Sequence, residues 1–514
     1  MRKTLVVVAT LCIAALVIGG LAWFFSPSSE STDTAAGDAA ASPSPSATAS
    51  DPPSEAAEDD ALPVPDKRYW SDPAWVGQPY PPGDINGLIT FRGNPTRTFY
   101  GTGPMPRTAP VQDWVYPRGG GMCGTSDDGG GPQTWCGTGW TGQPSVFERK
   151  GKTWLVFGAY DYGIHFLNAK NGKKLLPTFK TGDIIKGSVT IDPDGYPLVY
   201  SGSRDNYLRV IAFDGSQPRE LWRLYAKSVS PTQWNDDWDG SPLVIGDYLF
   251  EGGENSRIHI VKLNKKYDSS GRVSVNPKLI WHAAGWDAEL SAAFGSPQTS
   301  IENSVAIYKN VMYFANSAGL VQGWNIKGLK QGKDPKRVFR FWTGDDTDAT
   351  ITIDEDGYLY VGSEFEKGNS RSQQVGQMMK LDPSKPDNPL VWSVKDQSRR
   401  PGGIWGTPAL HRDVVIFDTD GGEVLAINRE SGKVHWRRTL PGPLWQSPVV
   451  VDDVLLIGDC QGTMHAFDVS KTRKRPPELW QVRVGGCIES TPAVHDGRIY
   501  IGTRAGQMHA LAPR

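Results

Sequence analysis

Six segments set a tryptophan, an acid or an amide just ahead of a short apolar stretch. They read Trp140-Thr-Gly-Gln143-Pro144, Asp236-Asp237-Trp238-Asp239-Gly-Ser-Pro242, Asp345-Asp-Thr-Asp348, Ile404-Trp405-Gly-Thr-Pro408, Leu444-Trp445-Gln446-Ser-Pro448 and Ile488-Glu489-Ser-Thr-Pro492. An indole face flanked by carboxylates and amides can stack on a sugar ring or hold a cation. The competing use is structural, because aromatic residues that recur at a repeat spacing commonly pack between repeats while the acids cap turns.

Other candidate chemistry is weaker. Asp192-Pro-Asp194-Gly195 and Asp354-Glu-Asp356-Gly357 resemble calcium loops, but Ser201 and Ser363 stand where a later acid is needed, so both read as hairpin turns. His165, His465 and His509 fall at one equivalent strand position, which spreads them over separate units instead of gathering them on a metal. No Gly-x-Ser-x-Gly, His-Glu-x-x-His or phosphate-binding glycine loop occurs. The reading therefore assigns no catalytic residue, no metal ligand and no cofactor.

The elements that carry these segments repeat. Thr407-Pro-Ala-Leu-His-Arg-Asp-Val-Val-Ile-Phe-Asp, Ser447-Pro-Val-Val-Val-Asp-Asp-Val-Leu-Leu-Ile-Gly-Asp and Thr491-Pro-Ala-Val-His-Asp-Gly-Arg-Ile-Tyr-Ile-Gly-Thr are versions of one unit. Each is a strand, a polar turn and a second strand. A glycine turn, a third strand and an outer strand bearing an aromatic follow. Short strands closed by Gly and Asp turns are antiparallel hairpins. First strands begin near Pro144, Ser188, Pro242, Ser304, Thr350, Pro408, Pro448 and Pro492. Outer-strand anchors follow at Leu176, Trp222, Trp281, Phe339, Trp392, Trp436 and Trp480. The last unit stops at Arg514 after three strands, and Pro110-Val-Gln-Asp-Trp114 supplies the missing outer strand. The prediction is an all-β, eight-bladed β-propeller, residues 110–514, closed by its N-terminal strand, which removes two open sheet edges.

Strand order fixes the faces. With strands A to D running outward, the B–C turns and D–A loops share one face. All four cysteines of this region fall there: Cys123 and Cys136 after Trp114, Cys460 in the B–C turn of blade 7, and Cys487 in the loop to blade 8. The bridges Cys123–Cys136 and Cys460–Cys487 are expected. The six segments above ring the mouth of the central channel on that face, and the long B–C loop from Glu364 to Gln377 could act as a flap over it.

These units resemble the PQQ-like β-propeller family, which includes quinoprotein alcohol dehydrogenases and BamB. The best matches are Thr407–Trp436, with its Ser-Gly-Lys-Val-His-Trp436 turn and docking tryptophan, and Ser447–Trp480; Phe91-Arg-Gly-Asn-Pro-Thr-Arg-Thr resembles the family's leading segment. The dehydrogenase branch implies PQQ held between a tryptophan and two adjacent, disulfide-bonded cysteines, beside a Ca²⁺ bound by Glu, Asn and Asp. This chain has no adjacent cysteine pair. The BamB branch implies a protein-binding role in the envelope.

The ends of the chain place the propeller. Arg2 and Lys3 precede an uncharged run from Thr4 to Phe25, long enough to span one hydrocarbon core as a helix. It reads as an uncleaved, single-pass membrane anchor with a cytoplasmic N-terminus, residues 1–25. A cleaved signal peptide has a shorter apolar core, and Cys12 lacks the setting of a lipidation site. Residues 26–66 carry nine acids, no base and no aromatic, the composition of a disordered linker. Residues 67–109 form a lead-in segment. The total charge of −2 leaves +5 for residues 67–514 once +2 and −9 are removed with anchor and linker, too small a value to suggest nucleic-acid binding. The functional expectation is a membrane-anchored, extracytoplasmic, non-catalytic module that binds an envelope protein or a cell-surface glycan through its cysteine-bearing face. The alternative is a PQQ- and Ca²⁺-dependent oxidoreductase.

Overall fold

The computed structural model describes residues 66, 68–80, 85–127, 129–139, 142–397 and 399–514. The predicted anchor and all of the linker except Asp66 lie outside them. Among the described residues no helix is long and apolar enough to cross a membrane.

Eight antiparallel sheets follow one another as predicted. Blade 7 shows the plan: Val449–Val451, Val454–Gly458, Thr463–Asp468 and Glu478–Arg483 run from the inside outward. Blade 8 takes three strands from the C-terminus and its outer strand, Val111–Tyr116, from the N-terminal side, with Trp114 opposite Ala510. Blade 1 departs from the four-strand plan: Gly87–Leu88 of the lead-in segment pairs with its inner strand and makes a fifth.

Two features recur that the amino-acid pattern did not reveal. In every blade the register between third and outer strand slips by one residue just before the anchor, as at Ile427↔Val434 and Ala426↔Trp436. A bulge adds local twist and re-aims the next side chain, and at three anchors the indole finds a fixed seat on the neighbouring blade. Trp114, Trp392 and Trp436 donate to the carbonyls of Ala169, Arg429 and Thr472 in the next blade's C–D turn. The turn glycine lies under the ring: a Cβ on Gly432 would stand 2.7 Å from Trp392 Cγ, and one on Gly172 2.7 Å from Trp114 Cε3. The apolar core accordingly forms a circle of clusters, each shared by neighbouring blades.

Candidate functional site

The lead-in segment fills the channel. Its backbone or side chains hydrogen-bond to the inner strands, or the loops into them, of all eight blades. The carbonyls of Ile89, Pro95 and Thr96 accept from Ile191, Ile307 and Ile353, so blades 2, 4 and 5 are tied. Phe91 N reaches Ser241 of blade 3, and the amide of Leu410 in blade 6 donates to Tyr100. Thr102 N donates to Val494 O in blade 8. Arg92 and Arg97 are fully buried. Arg92 donates to the carbonyls of Pro448 (2.5 Å) and Pro408 (2.7 Å), with its guanidinium 4.2 Å from the Tyr100 ring centre. Arg97 donates to Val305 O and Phe91 O. Burial lowers the pKa of both, that of Arg97 to about 9. Two acids in the wall, Asp418 and Glu251, lie near Arg92 and Arg97 respectively and would oppose that lowering when ionised, but burial raises both acids, Asp418 to about 8.

This plug accounts for Gln143. Its Oε1 accepts from Arg92 N (2.8 Å) and its Nε2 donates to Pro492 O (2.9 Å), so it ties blade 1 to the plug and to blade 8. Most of the other segment residues are also buried. Trp238 is wholly enclosed, 4.9 Å from the His259 ring. Gln446 caps Gly458 N within its own blade. Asp237 takes Arg204 Nε at 2.5 Å, and Asp239 takes Lys186 Nζ, which also lies 3.5 Å from Glu254. Burial and the Asp239 charge push Asp237 up to about 7; burial pushes Asp239 the same way, but Lys186, Glu254 and Arg204 outweigh it and hold that carboxyl low. Asp348 is buried beside Asp346. Trp140 lies outside the described residues.

Three of the predicted segment residues reach or border the surface of the cysteine-bearing face. Trp405 and Trp445, from blades 6 and 7, are half-buried and stack with ring centres 5.5 Å apart and planes 23° from parallel. Trp445 Nε1 donates to Asp420 at 2.5 Å. Glu489 faces Arg504 at 3.4 Å, and burial raises its pKa.

Both expected disulfides are present. Cys460–Cys487 staples blade 7 to the loop entering blade 8. Cys123–Cys136 closes a hairpin, Cys123–Asp127 paired with Pro132–Cys136, that is pinned on blade 1 by Tyr162 Oη to Thr125. The hairpin carries Trp135, which the sequence reading passed over. Its ring lies 5.8 Å from Tyr160, and the guanidinium groups of Arg504 and Arg204 lie 5.2 and 5.6 Å from its centre. Its position one residue before Cys136 was the available signal. The predicted flap is anchored: Asp345 accepts from the amides of Glu366, Lys367 and Gly368, so this loop lies fixed against blade 5.

The family described as outer membrane protein assembly factor BamB matches residues 376–514, from the third strand of blade 5 to the C-terminus. No curated protein matches the sequence. Among solved structures, quinohemoprotein alcohol dehydrogenase ADHIIG from Pseudomonas putida HK5 is 11% identical, covering 83% of this chain and 80% of its own with TM-score 0.55. The computationally designed Ika8 protein is 11% identical over 79% of this chain and 99% of its own, TM-score 0.51. BamB from Moraxella catarrhalis is 16% identical over 71% of this chain and 92% of its own, TM-score 0.48. At these identities the first two likenesses establish the fold alone. The described residues thus form an eight-bladed β-propeller whose C-terminal part, residues 376–514, carries repeats of the BamB-like family.

Proposed function

We propose that the protein is a membrane-tethered, extracytoplasmic module that binds an envelope protein or a cell-surface glycan on its cysteine-bearing face and performs no catalysis. The Trp405–Trp445 stack carries this reading. Two rings from different blades meet at the surface, where burial inside either blade was open to them, and paired indoles offer a rigid apolar platform with polar edges. The two disulfides support an oxidising compartment. The apolar run Thr4–Phe25 supports tethering.

The test uses the full-length chain in glycan arrays and in crosslinking on intact cells. The Trp405→Ala/Trp445→Ala pair should abolish the captured signal while melting close to the parent. An unchanged signal would reject this platform as the binding surface.

A quinone-dependent oxidoreductase is the second reading, favoured by the fold shared with a quinohemoprotein dehydrogenase. The residues do not fit the group. No two cysteines are adjacent. A planar ring inserted between Trp405 and Trp445 would need about 7 Å, twice a van der Waals contact, against the 5.5 Å observed. Adding PQQ to the Ca²⁺-saturated, full-length protein should leave its melting temperature unchanged; a rise with dye-linked alcohol oxidation would reverse the choice.

A further inference from the structure

On the cysteine-bearing face, two groups of three buried acids have nearly the same build. Asp237, Asp239 and Glu254 belong to blade 3, and Asp346, Asp348 and Glu364 to blade 5; in each group three carboxylate oxygens lie within 4.8 Å of one another. Three ionised carboxylates so close in a low-dielectric setting repel strongly. The blade 3 group is neutralised from within the chain, by Lys186 on Asp239 and Glu254 and by Arg204 on Asp237. The blade 5 group has no such partner among the described residues. The basic residues nearest in charge interaction are engaged elsewhere, Lys186 with Asp239 and Lys367 with Glu366.

The geometry at blade 5 is held by the backbone. Glu364 N donates to Asp346 O at 2.8 Å and Ser363 Oγ to the same carbonyl at 2.9 Å. These bonds pin the loop before the inner strand to the end of the second strand. The side chains thus converge because the scaffold makes them. Oδ1 of Asp346 and Oδ1 of Asp348 are buried with no hydrogen-bond donor, although the two carboxyls lie against each other. Facing acceptors need either a shared proton or a cation between them. Burial and mutual repulsion raise all three carboxyls.

We infer that Asp346, Asp348 and Glu364 form a binding site for a hard divalent cation, with Ca²⁺ as its best-fitting occupant. The donor set is all oxygen, without His or Cys, which disfavours zinc and the softer metals. Ca²⁺ sits about 2.3–2.6 Å from each oxygen and tolerates irregular geometry, so oxygens up to about 5 Å apart can share one ion. Mg²⁺ demands about 2.0–2.1 Å and octahedral order, a poorer match to a three-carboxylate set fixed by two separate loops. The remaining coordination positions would go to water or to an oxygen-rich ligand.

The experiment is calorimetric titration of the full-length, chelator-treated protein with CaCl₂, and separately with MgCl₂, alongside thermal melts. The expected result is one Ca²⁺ per chain, a melting temperature raised by Ca²⁺ and lowered by EDTA, and a weaker response to Mg²⁺. Asp348→Asn and Glu364→Gln should each weaken Ca²⁺ binding by more than about tenfold, since ligand charge sets affinity. Asp237→Asn, in the self-neutralised group, should leave stoichiometry and affinity unchanged. Should a variant fail to fold, the metal content and EDTA response of the parent still decide. No heat and no melting shift with millimolar Ca²⁺ would overturn the site. So would loss of binding in Asp237→Asn alone, or an Asp348→Asn protein more stable than the parent with or without Ca²⁺, which would mean that the acids share protons instead.

Discussion

The seating of Trp392 on the next blade's turn can be tested with one methyl group. Gly432 has φ +71°, a region costly to residues with a Cβ, and its Cβ would also stand 2.7 Å from Trp392 Cγ, 2.8 Å from its Cβ and 3.0 Å from Cδ2. Gly195 has φ +80° with nothing within 4 Å of the same added atom. Alanine at Gly195 therefore measures backbone strain alone, about 1–2 kcal/mol. Alanine at Gly432 adds overpacking of about 1–3 kcal/mol. It also displaces an indole that donates to Arg429 O at 3.0 Å, a bond worth about 1 kcal/mol. Gly432→Ala should thus lose about 4 kcal/mol against about 1–2 for Gly195→Ala, read as the order of their urea midpoints. In a Trp392→Ala background the excess cost of the Gly432 substitution over the Gly195 one should shrink, because the ring atoms and the indole hydrogen bond are gone and only the Cβ contact at 2.8 Å remains. Equal midpoints for the two glycine variants in the parent background would refute the docking argument.

Two further outcomes follow from buried groups and staples. Asp418, raised to about 8 by burial, keeps its proton in the folded state while the unfolded chain ionises near pH 4. Its stabilising effect is therefore full below pH 4 and is lost as pH rises to about 8, a change of at most about 6 kcal/mol. Asp418→Asn should gain on the parent in melting temperature across that window and then run parallel, and a constant difference from pH 4 to 8 would dismiss the assignment. Replacing Cys460 and Cys487 by serine opens a loop with a sequence separation of 27 residues; loop entropy puts the loss at about 3.5 kcal/mol, and a urea midpoint equal to the parent's would show that blades 7 and 8 hold together without it.

How much of this was legible depended on whether the signal was periodic. Blade number, strand order, the Trp114 closure and both disulfides follow from repeated spacings, since a four-strand sheet can hide its apolar face only against a copy of itself. The outer-strand bulges were missed because a bulge adds one residue without altering residue type. The channel mouth was read too generously for a related reason. Trp238 and Trp405 occupy like positions ahead of like strands, yet Trp238 is enclosed against His259 while Trp405 meets Trp445 at the surface. Only the neighbouring blades separate the two cases. That Asp346 and Glu364 meet escaped notice because they lie 18 residues apart in sequence and come together only through the fold.

Phe91–Thr98 shows the same limit and constrains function most. It occurs once, so no comparison between repeats could reveal that the lead-in segment around it, from Ile89 to Thr102, binds the whole ring. Eight inner strands each leave polar groups facing a narrow axis, and water or a second chain could satisfy them. Here two arginines, a run of backbone carbonyls and Tyr100 do so. A channel stopped by its own chain cannot pass a ligand from face to face. The lead-in segment also covers the A–B turns: Trp70 and Ser71 bond to Lys309 in blade 4, and Met105 to Asp452 in blade 7. Under the proposed binding function, the face left for recognition is the opposite, cysteine-bearing rim. That rim combines a half-buried indole pair, a hairpin whose Trp135 lies near two arginines, and a buried acid trio with no ion-pair partner among the described residues. A surface with both apolar platforms and unspent charge suits a partner that is itself mixed, such as a glycan or a protein loop, better than a small apolar molecule.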